Sequence, residues 1–175
     1  AGAGLPDPDE QGRDRMTVFG AIGRLAAVLV TATVLAACAG SDAGTVRRGS
    51  ALEAQAMVAR AIATYNAEGE AAFVRMTAPG REFVDRDLYI FVVGPDATVV
   101  AHGGDAGRIG LDVTGLKDAD GFAYGQAILD VATPEGVWLD YKREDPLTGE
   151  IESKKSWLRR HDGYIFGCGI YAPTD

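Results

Sequence analysis

Two aspartates followed by a glycine have the spacing with which a calcium-binding loop can begin. Asp118 and Asp120 are separated by one alanine, and Gly121 follows them directly. A calcium loop also needs a later acidic ligand, and Glu135 comes too far along the chain to supply it. The two histidines are far apart, without cysteine or glutamate at zinc-ligand spacing. The aspartates are therefore predicted to form a turn, and no metal site is expected.

The motifs that enzymes use for covalent or phosphoryl chemistry do not form a recognisable constellation in this sequence. It has no Gly-x-Ser-x-Gly elbow for a nucleophilic serine and no glycine-rich phosphate loop. Cys168 stands between two glycines in an apolar stretch, where a thiol normally packs as a small hydrophobic group. The sequence therefore predicts no enzymatic activity, and no cofactor is expected.

Four other side chains could donate hydrogen bonds to a small ligand. Lys154 carries a compact positive charge, and Tyr89 and Tyr141 offer hydroxyl groups. His102 can donate from either ring nitrogen. Each group also has a plainer interpretation, because strand tyrosines often pack with a solvated hydroxyl, strand lysines are usually solvated and a lone histidine is usually structural. The residue types alone leave both interpretations open.

The strand predicted at 136–143 would combine apolar side chains and one of these hydroxyl groups on one face. Successive side chains point to opposite faces of a strand, so Val137, Leu139 and Tyr141 share a face. Neighbouring antiparallel strands lie about 4.8 Å apart, and a register that pairs this strand with the next one would bring Lys154 near Tyr141. Such a face has the composition of a small-ligand pocket.

These groups depend on helices and strands that hydrophobic periodicity predicts. Apolar residues recur at near-helical spacing in three segments, which are predicted to be helices: 51–66, 70–76 and 122–132. Period-two or continuous apolar patterns predict five strands: 88–93, 98–102, 136–143, 151–160 and 164–171. This order predicts an α+β fold in which N-terminal helices pack on a five-stranded antiparallel sheet.

The composition bounds what the chain can be. Of its 175 residues, 47% are hydrophobic and 24% are charged, which is typical of a globular protein with one domain. The formal net charge of -8 argues against nucleic acid as a partner, because binding to phosphates requires a clustered positive surface. Two cysteines are too few for a disulfide framework, so a packed core must hold the fold together.

The N-terminal part of the chain is predicted to lie outside the folded domain. Residues 1–15 have no apolar periodicity and precede the first methionine, Met16, so they are interpreted as an upstream extension that is not native. The apolar run at 25–34 is too short for a spanning helix of about 20 residues but fits the central region of a signal peptide. Residues 16–37 are therefore predicted to be a signal peptide, with a buried core helix as the alternative.

The residues that close this segment resemble the bacterial lipobox, with the sequence LAACAG at 35–40. The resemblance implies that Cys38 is lipidated and becomes the first residue of a protein anchored to a membrane without crossing it. Ala39, rather than an aspartate, follows the cysteine and points to the outer membrane, with the domain facing the periplasm. An ordinary cleaved signal with a chance cysteine is the alternative. Residues 38–50, rich in glycine, serine and alanine, are predicted to be a flexible tether.

Several short segments of the remaining chain occur in an order and spacing typical of one protein family. They are FVDRDLYIFV at 83–92, VAH at 100–102, GLD at 110–112, KDADG at 117–121, WLDY at 138–141, KKSW at 154–157 and GCGIY at 167–171. Together they resemble the single Cache domain of bacterial extracytoplasmic sensors, which residues 51–175 are predicted to form. The sequence departs from the family pattern at three sites. Ala97 stands where a glycine is usual, Trp157 stands where a tyrosine is usual, and the pair Lys142-Arg143 stands where an aromatic residue often follows Tyr141.

The resemblance implies a PAS-like sheet whose concave face, covered by the crossover loops, holds a small ligand. In related domains the ligands are often short carboxylates, and the residues proposed for that role here are Tyr89, His102, Tyr141 and Lys154. The predicted function is a membrane-tethered sensing or signalling module that binds a short organic acid. A sensor kinase or a chemoreceptor is the expected partner. A periplasmic enzyme and an envelope interaction protein on the same fold are the alternatives.

Overall fold

The computed structural model describes residues 47–80 and 82–171. These residues contain three α-helices and six strands, joined by turns and loops. The helices are α1 (Ala51–Glu68), α2 (Ala71–Thr77) and α3 (Tyr124–Val131). The strands are β1 (Val84–Asp85), β2 (Leu88–Val93), β3 (Val99–His102), β4 (Val137–Glu144), β5 (Ile151–His161) and β6 (Tyr164–Tyr171). All three helices and all five strands that the sequence predicts are confirmed, with ends that differ by at most two residues.

Helix α1 begins at a reciprocal cap. The Ser50 hydroxyl accepts a hydrogen bond from the Glu53 amide at 3.3 Å, and the Glu53 carboxylate accepts one from the Ser50 amide at 2.7 Å. Gly69 ends the helix with a φ of 63°, a conformation that costs glycine less than other residues. The apolar face of this helix, which includes Met57 and Val58, packs against the sheet.

The sheet is antiparallel throughout, with the strand order β1-β2-β6-β5-β4 and with β3 also paired to β2. The predicted count of five strands is corrected to six, because Val84 and Asp85 pair with the start of β2. The tight turn between these strands is made by Arg86, which has a φ of 58°, and Asp87. A two-residue strand has no detectable apolar period, which is why the sequence did not reveal it.

Two apolar clusters lie on opposite faces of the sheet. The first contains α1, α2 and side chains of β2 and β6 that include Ile90 and Phe166. The second contains α3, the crossover between β3 and α3, and side chains that include Phe91 and Leu158. Helix α3 therefore packs on the face of the sheet opposite the N-terminal helices. The crossover and α3 form the wall that covers the predicted ligand face.

The β2–β3 turn has an alanine at a position where the resemblance to Cache domains predicts a glycine. Ala97 takes a φ of 63°, which costs an alanine roughly 1 to 2 kcal/mol relative to the right-handed region. Hydrogen bonds hold the turn: the Gly94 amide donates to the Thr98 carbonyl at 2.7 Å, and the Asp96 carboxylate accepts from the Thr98 amide and hydroxyl.

The proposed extension (1–15), the signal peptide (16–37) and Cys38 lie outside the described residues, as does the tether up to residue 46. The last tether residues are visible, and Arg48 and Gly49 contact the domain. None of the helices in residues 47–80 and 82–171 has the length and apolar character required to span a bilayer.

Candidate ligand-binding site

Tyr141 and Lys154 stand side by side on the sheet face opposite α1. They are direct partners in the antiparallel register of β4 and β5, which brings their side chains together on one face. The hydroxyl oxygens of Tyr141 and Ser156 are 2.9 Å apart. Burial raises the pKa of Tyr141 well above its usual range, so this hydroxyl stays protonated. The predicted proximity of Lys154 and Tyr141 is confirmed.

Lys154 is buried beside two phenols. The residue is 1% exposed, and its ammonium donates to the hydroxyl groups of Tyr89 at 2.7 Å and Tyr171 at 3.2 Å. The ammonium also lies 3.9 Å from the centre of the Tyr89 ring. In the described part of the chain, the lysines that form ion pairs are Lys142 and Lys155. Lys154 is therefore a buried cation whose hydrogen-bond partners are phenols and not carboxylates, a costly arrangement that an arriving anion would relieve.

Glycines in β6 make room for the side chains of this face. A Cβ at Gly169 would lie 2.1 Å from Cε of Lys154 and 2.6 Å from Oγ of Ser156. A Cβ at Gly167 would lie 2.2 Å from the ring of Phe91. The alternating glycines thus allow a lysine and an aromatic ring to lie flat across the strand.

A cavity of about 50 Å³, measured for the centre of a water-sized sphere, lies between this face and the crossover. Its apolar walls include Val99, Leu111, Val113 and Ile128. Its polar end is formed by Tyr89, His102, Arg108 and Arg143. The same four residues line a solvent-open depression of about 250 Å³, so the polar end faces the entrance. A water needs about 10 to 15 Å³ by this measure, so the cavity suits a molecule of only a few heavy atoms.

Two arginines place positive charge at the polar end. The Arg143 guanidinium donates to the Tyr124 hydroxyl at 3.2 Å, and the Tyr124 ring stacks on Tyr141 with ring centres 4.7 Å apart. Nε of Arg108 lies 3.3 Å from the Asp105 carboxylate. The guanidinium of Arg143 thus has a neutral partner in the described residues, and its fork remains available for a planar anion.

His102 is a neutral donor in this site. Its Nδ1 accepts a hydrogen bond from the Asp105 amide at 2.9 Å, which puts the proton of the neutral ring on Nε2. The ring packs against Tyr89 with centres 4.9 Å apart. Burial, together with the positive charges of Arg108 and Lys154, lowers the pKa of His102 to about 4. The histidine can therefore donate to a ligand from Nε2 at neutral pH.

We expect the fold to lose stability as the pH falls from about 6.5 to about 4 because of His102. In this window the unfolded chain binds the histidine proton and the folded protein does not, so acid favours unfolding. The contribution is fully present above pH 6.5, and roughly 2 to 4 kcal/mol of it is lost near pH 4. Urea unfolding of the wild type and of His102→Phe at pH 7 and pH 4 measures it.

The His102→Phe variant keeps an aromatic ring against Tyr89 and removes the titrating group, so its stability should depend less on pH. His161→Phe is the matched control, because the His161 ring bonds Asn66 near the surface. The prediction is wrong when His102→Phe keeps the full acid sensitivity of the wild type.

The hydroxyl of Tyr89 is set up to donate towards the cavity. Burial opposes its ionisation, but the charge and the hydrogen bond of Lys154 outweigh burial and lower the pKa of Tyr89. Because the phenol oxygen accepts from Lys154, its own proton is left for another acceptor. A ligand oxygen in the polar end would be such an acceptor.

The structure brings all four sequence-predicted ligand residues into one region. Tyr89, His102 and Tyr141 line the cavity, whereas Lys154 lies directly behind Tyr89 and does not line it. Sequence reasoning missed four polar groups of the region: Arg108, Tyr124, Arg143 and Tyr171. One signal was available, since period two places the arginine of β4 on the same face as Tyr141.

Two residues considered for chemistry in the sequence have structural roles. Asp118 closes a turn, with one carboxylate oxygen accepting from the Asp120 amide at 3.0 Å and the other from the Lys142 amide at 3.0 Å. The Cys168 thiol packs 3.6 Å from the Met57 sulfur, and burial raises its pKa to about 12. The predicted turn and the predicted packing of the thiol are both confirmed.

Comparisons with solved structures identify chemotaxis sensor domains. A methyl-accepting chemotaxis protein from Vibrio parahaemolyticus RIMD 2210633 is 18% identical with a TM-score of 0.58, over 69% of this chain and 86% of that chain. A periplasmic sensor domain of a chemotaxis protein is 21% identical, with a TM-score of 0.49 over 69% of this chain and 89% of that one. A Cache chemosensory domain described for carboxylic acid recognition is 17% identical, with a TM-score of 0.49 over 69% and 87%.

No protein-family model matches the sequence, and no curated protein matches it. The likeness to the Vibrio protein is one of fold, since identities below 25% carry no information on ligand or activity. The antiparallel sheet with helices on one face and a crossover on the other is the architecture predicted from the sequence. The chain therefore has an α+β, PAS-like fold, which it shares with the Vibrio methyl-accepting chemotaxis protein.

Proposed function

We propose that this chain is an extracytoplasmic module that binds a short organic carboxylate in the cavity beneath the crossover. The observation that carries the proposal is the buried Lys154 ammonium, whose partners are phenols, behind a cavity end that holds Arg108 and Arg143. An anion leaves water only where several donors replace its hydration. Tyr89 and His102 complete such a donor set.

The donors have distinct roles in this proposal. Arg143 binds the carboxylate with its planar fork, because two parallel hydrogen bonds fix both oxygens. Tyr89 donates its free proton, and Lys154 strengthens that donation from behind by placing a charge 2.7 Å from the phenol oxygen. The Nε2 proton of His102 adds a neutral donor that leaves the charge balance unchanged.

The apolar walls limit the length of the ligand. With about 50 Å³ available, an acid of two to about four carbons fits with its carboxylate at the arginines and its tail towards Val113 and Ile128. Each buried methylene adds roughly 0.8 kcal/mol of affinity, so propionate should bind more tightly than acetate as long as the tail fits. Longer chains would clash with the walls.

Thermal unfolding and calorimetric titration with propionate test the proposal. At a hundredfold excess over its dissociation constant, propionate should stabilise the fold by about 2.7 kcal/mol. Propionamide has nearly the same shape without the charge and should have no such effect, and octanoate should be too long. Acetate, propionate, pyruvate and lactate together cover the size range. Failure of all four to stabilise the protein would overturn the proposed function.

We further propose that the domain is tethered to the envelope by lipid on Cys38, which lies outside the described residues. The apolar run at 25–34 and the small residues before the cysteine support it. In a bacterial host, Cys38→Ser should abolish mature-size protein in the detergent phase. Cys168→Ser, which changes a buried thiol, should still mature and partition normally. A Cys38→Ser variant that matures and partitions like the wild type would contradict the anchor.

The proposed module signals through a partner protein, a sensor kinase or a chemoreceptor, and faces the periplasm from the outer membrane. The similarity of the fold to that of a methyl-accepting chemotaxis protein from Vibrio parahaemolyticus supports this role. The residue after Cys38, an alanine, supports the outer membrane. Ligand binding rather than catalysis is proposed because the cavity-lining polar groups described here act as hydrogen-bond donors.

A further inference from the structure

Residues 48–49, which we call the strap, pack onto the domain just before α1. The Arg48 side chain is 9% exposed and forms ion pairs with Asp145, which is fully buried, and with Glu152 at 2.8 Å. Its guanidinium is thus enclosed by two carboxylates from the turn between β4 and β5 and from β5. This is a specific docked position rather than a loose passage of chain over the surface.

The backbone of the strap is held as closely as its side chain. The Gly49 amide donates to Oδ1 of Asp87, a second fully buried acid, at 2.6 Å. The Arg48 carbonyl accepts from Arg86 at 2.8 Å. A Cβ at Gly49 would lie 2.3 Å from the Leu88 side chain, so the chain approaches the sheet as closely as a glycine allows. Two buried carboxylates would lose these partners if the strap detached.

The strap reaches the proposed ligand site through one aromatic residue. The guanidinium carbon of Arg48 lies 5.9 Å from the centre of the Tyr171 ring. The Tyr171 hydroxyl accepts from Lys154 at 3.2 Å and donates to the Glu144 carbonyl at 2.7 Å. Glu144 follows Arg143 directly, and Lys154 contacts Tyr89. Tyr171 therefore contacts the strap through its ring, and its hydroxyl contacts the Lys154 ammonium and the backbone of β4 next to Arg143.

We propose that Arg48 is a positioning residue of the ligand site: the docked strap fixes Tyr171 and thereby Lys154 and the end of β4. The inference rests on the proposed function, since it concerns the same cavity. Coupling between two sites is reciprocal. The docked strap raises the affinity for the carboxylate by some factor, and a bound carboxylate must therefore raise the equilibrium constant for strap docking by the same factor. Occupancy of the cavity is thereby transmitted to the segment that continues towards Cys38.

The test uses the full chain with Arg48→Ala, and with Arg47→Ala as the matched control, because Arg47 is the exposed neighbour. Propionate affinity is measured by calorimetry. Arg48→Ala should weaken binding about tenfold, a coupling of ordinary size, whereas Arg47→Ala should leave it unchanged. In a Tyr171→Phe background, whose hydroxyl link is broken, Arg48→Ala should cost little further affinity. A merely structural role of Arg48 would cost the same in both backgrounds.

Hydrogen exchange of the ligand-free protein provides a readout that does not depend on propionate. Arg48→Ala should accelerate exchange at 153–155 and 168–171 relative to the far end of β5 at 158–161, and Arg47→Ala should not. Trypsin cleavage of the wild type after Arg48, which requires the strap to detach, should slow when propionate is saturating. If Arg48→Ala does not fold, Arg48→Lys is used in its place in each of these experiments. Lysine keeps the positive charge but cannot form the two-pronged ion pair of the guanidinium.

The outcomes separate the two proposals. If propionate and its relatives do not bind the wild type, the proposed function fails, and the ligand-free exchange pattern alone decides whether the strap orders the site. Unchanged exchange at 153–155 and 168–171 in Arg48→Ala overturns the inference. Equal affinity losses with and without the Tyr171 hydroxyl also overturn it.

Discussion

Replacing Arg143 by glutamine is expected to weaken propionate binding by at least about thirtyfold while the protein remains folded. The substitution keeps a planar donor of similar length and removes the charge and half of the fork. Truncating one partner of a buried, hydrogen-bonded charge pair costs roughly 2 to 5 kcal/mol, and 2 kcal/mol corresponds to about thirtyfold in the dissociation constant. The fold should lose little, because the described contact of this side chain is one hydrogen bond to Tyr124.

Lys142 provides the matched control on the same strand. Its side chain leaves β4 on the opposite side from Tyr141 and Arg143, and its ammonium pairs with Asp120 at 2.7 Å. Lys142→Gln removes the same unit of charge one residue away and should change propionate affinity by less than about twofold, because an exposed ion pair is worth little and long-range charge effects are screened. Calorimetric titration of both variants in the same buffer decides the matter. Similar losses in the two variants would show that net charge rather than the Arg143 fork binds the acid.

The sheet face that carries these groups could be predicted from the sequence because its pattern is local. Alternation in β4 places Val137, Leu139 and Tyr141 together, and the register of β4 and β5, which the sequence left open, pairs Tyr141 with Lys154. The same alternation extends to Arg143. From the sequence, Arg143 is interpreted only as a departure from the family pattern. That interpretation misses that this arginine follows Tyr141 on the same face of β4 and lines the cavity.

Other parts of the site depend on contacts between distant segments and left no local signal. Arg108 lies in a 3₁₀ turn of the crossover, where backbone hydrogen bonds between Val99 and both Gly110 and Leu111 set its position. Arg48 follows a glycine-rich and serine-rich stretch typical of a tether, yet its acidic partners lie 97 and 104 residues further along the chain. Period and turn composition carry no information on such pairings.

Stability and ligand binding place opposite demands on the centre of this site. A fold that had to maximise stability would fill the position of Lys154 with an apolar side chain, since buried charges are often replaced by hydrophobic residues at no cost or with a gain. Gly169 of β6 instead makes room for the lysine, and two phenol oxygens accept hydrogen bonds from its ammonium. Retention of a lysine without a carboxylate partner in the core is explained if a ligand supplies the negative charge.

Lys154→Met should therefore separate the two demands. Methionine preserves the length and volume of the side chain, so urea unfolding should show unchanged or increased stability in the absence of ligand. Propionate binding should fall by roughly 1.5 to 3 kcal/mol, about ten- to a hundredfold, because the Tyr89 hydroxyl loses the charge that strengthens it as a donor. The pKa of Tyr89 should rise at the same time, since Lys154 is what lowers it.

Lys155→Met is the matched control for this experiment. Lys155 lies on the opposite face, where its ammonium is 3.7 Å from the Asp140 carboxylate and its side chain is about half exposed. Its loss should change neither propionate affinity nor the phenol titration. Calorimetry, urea unfolding and ultraviolet titration of the tyrosines on both variants complete the comparison. A Lys154→Met protein that loses stability but keeps its affinity would make the lysine a structural residue, and equal affinity losses in the two variants would mean that the ligand contacts the other face of β5.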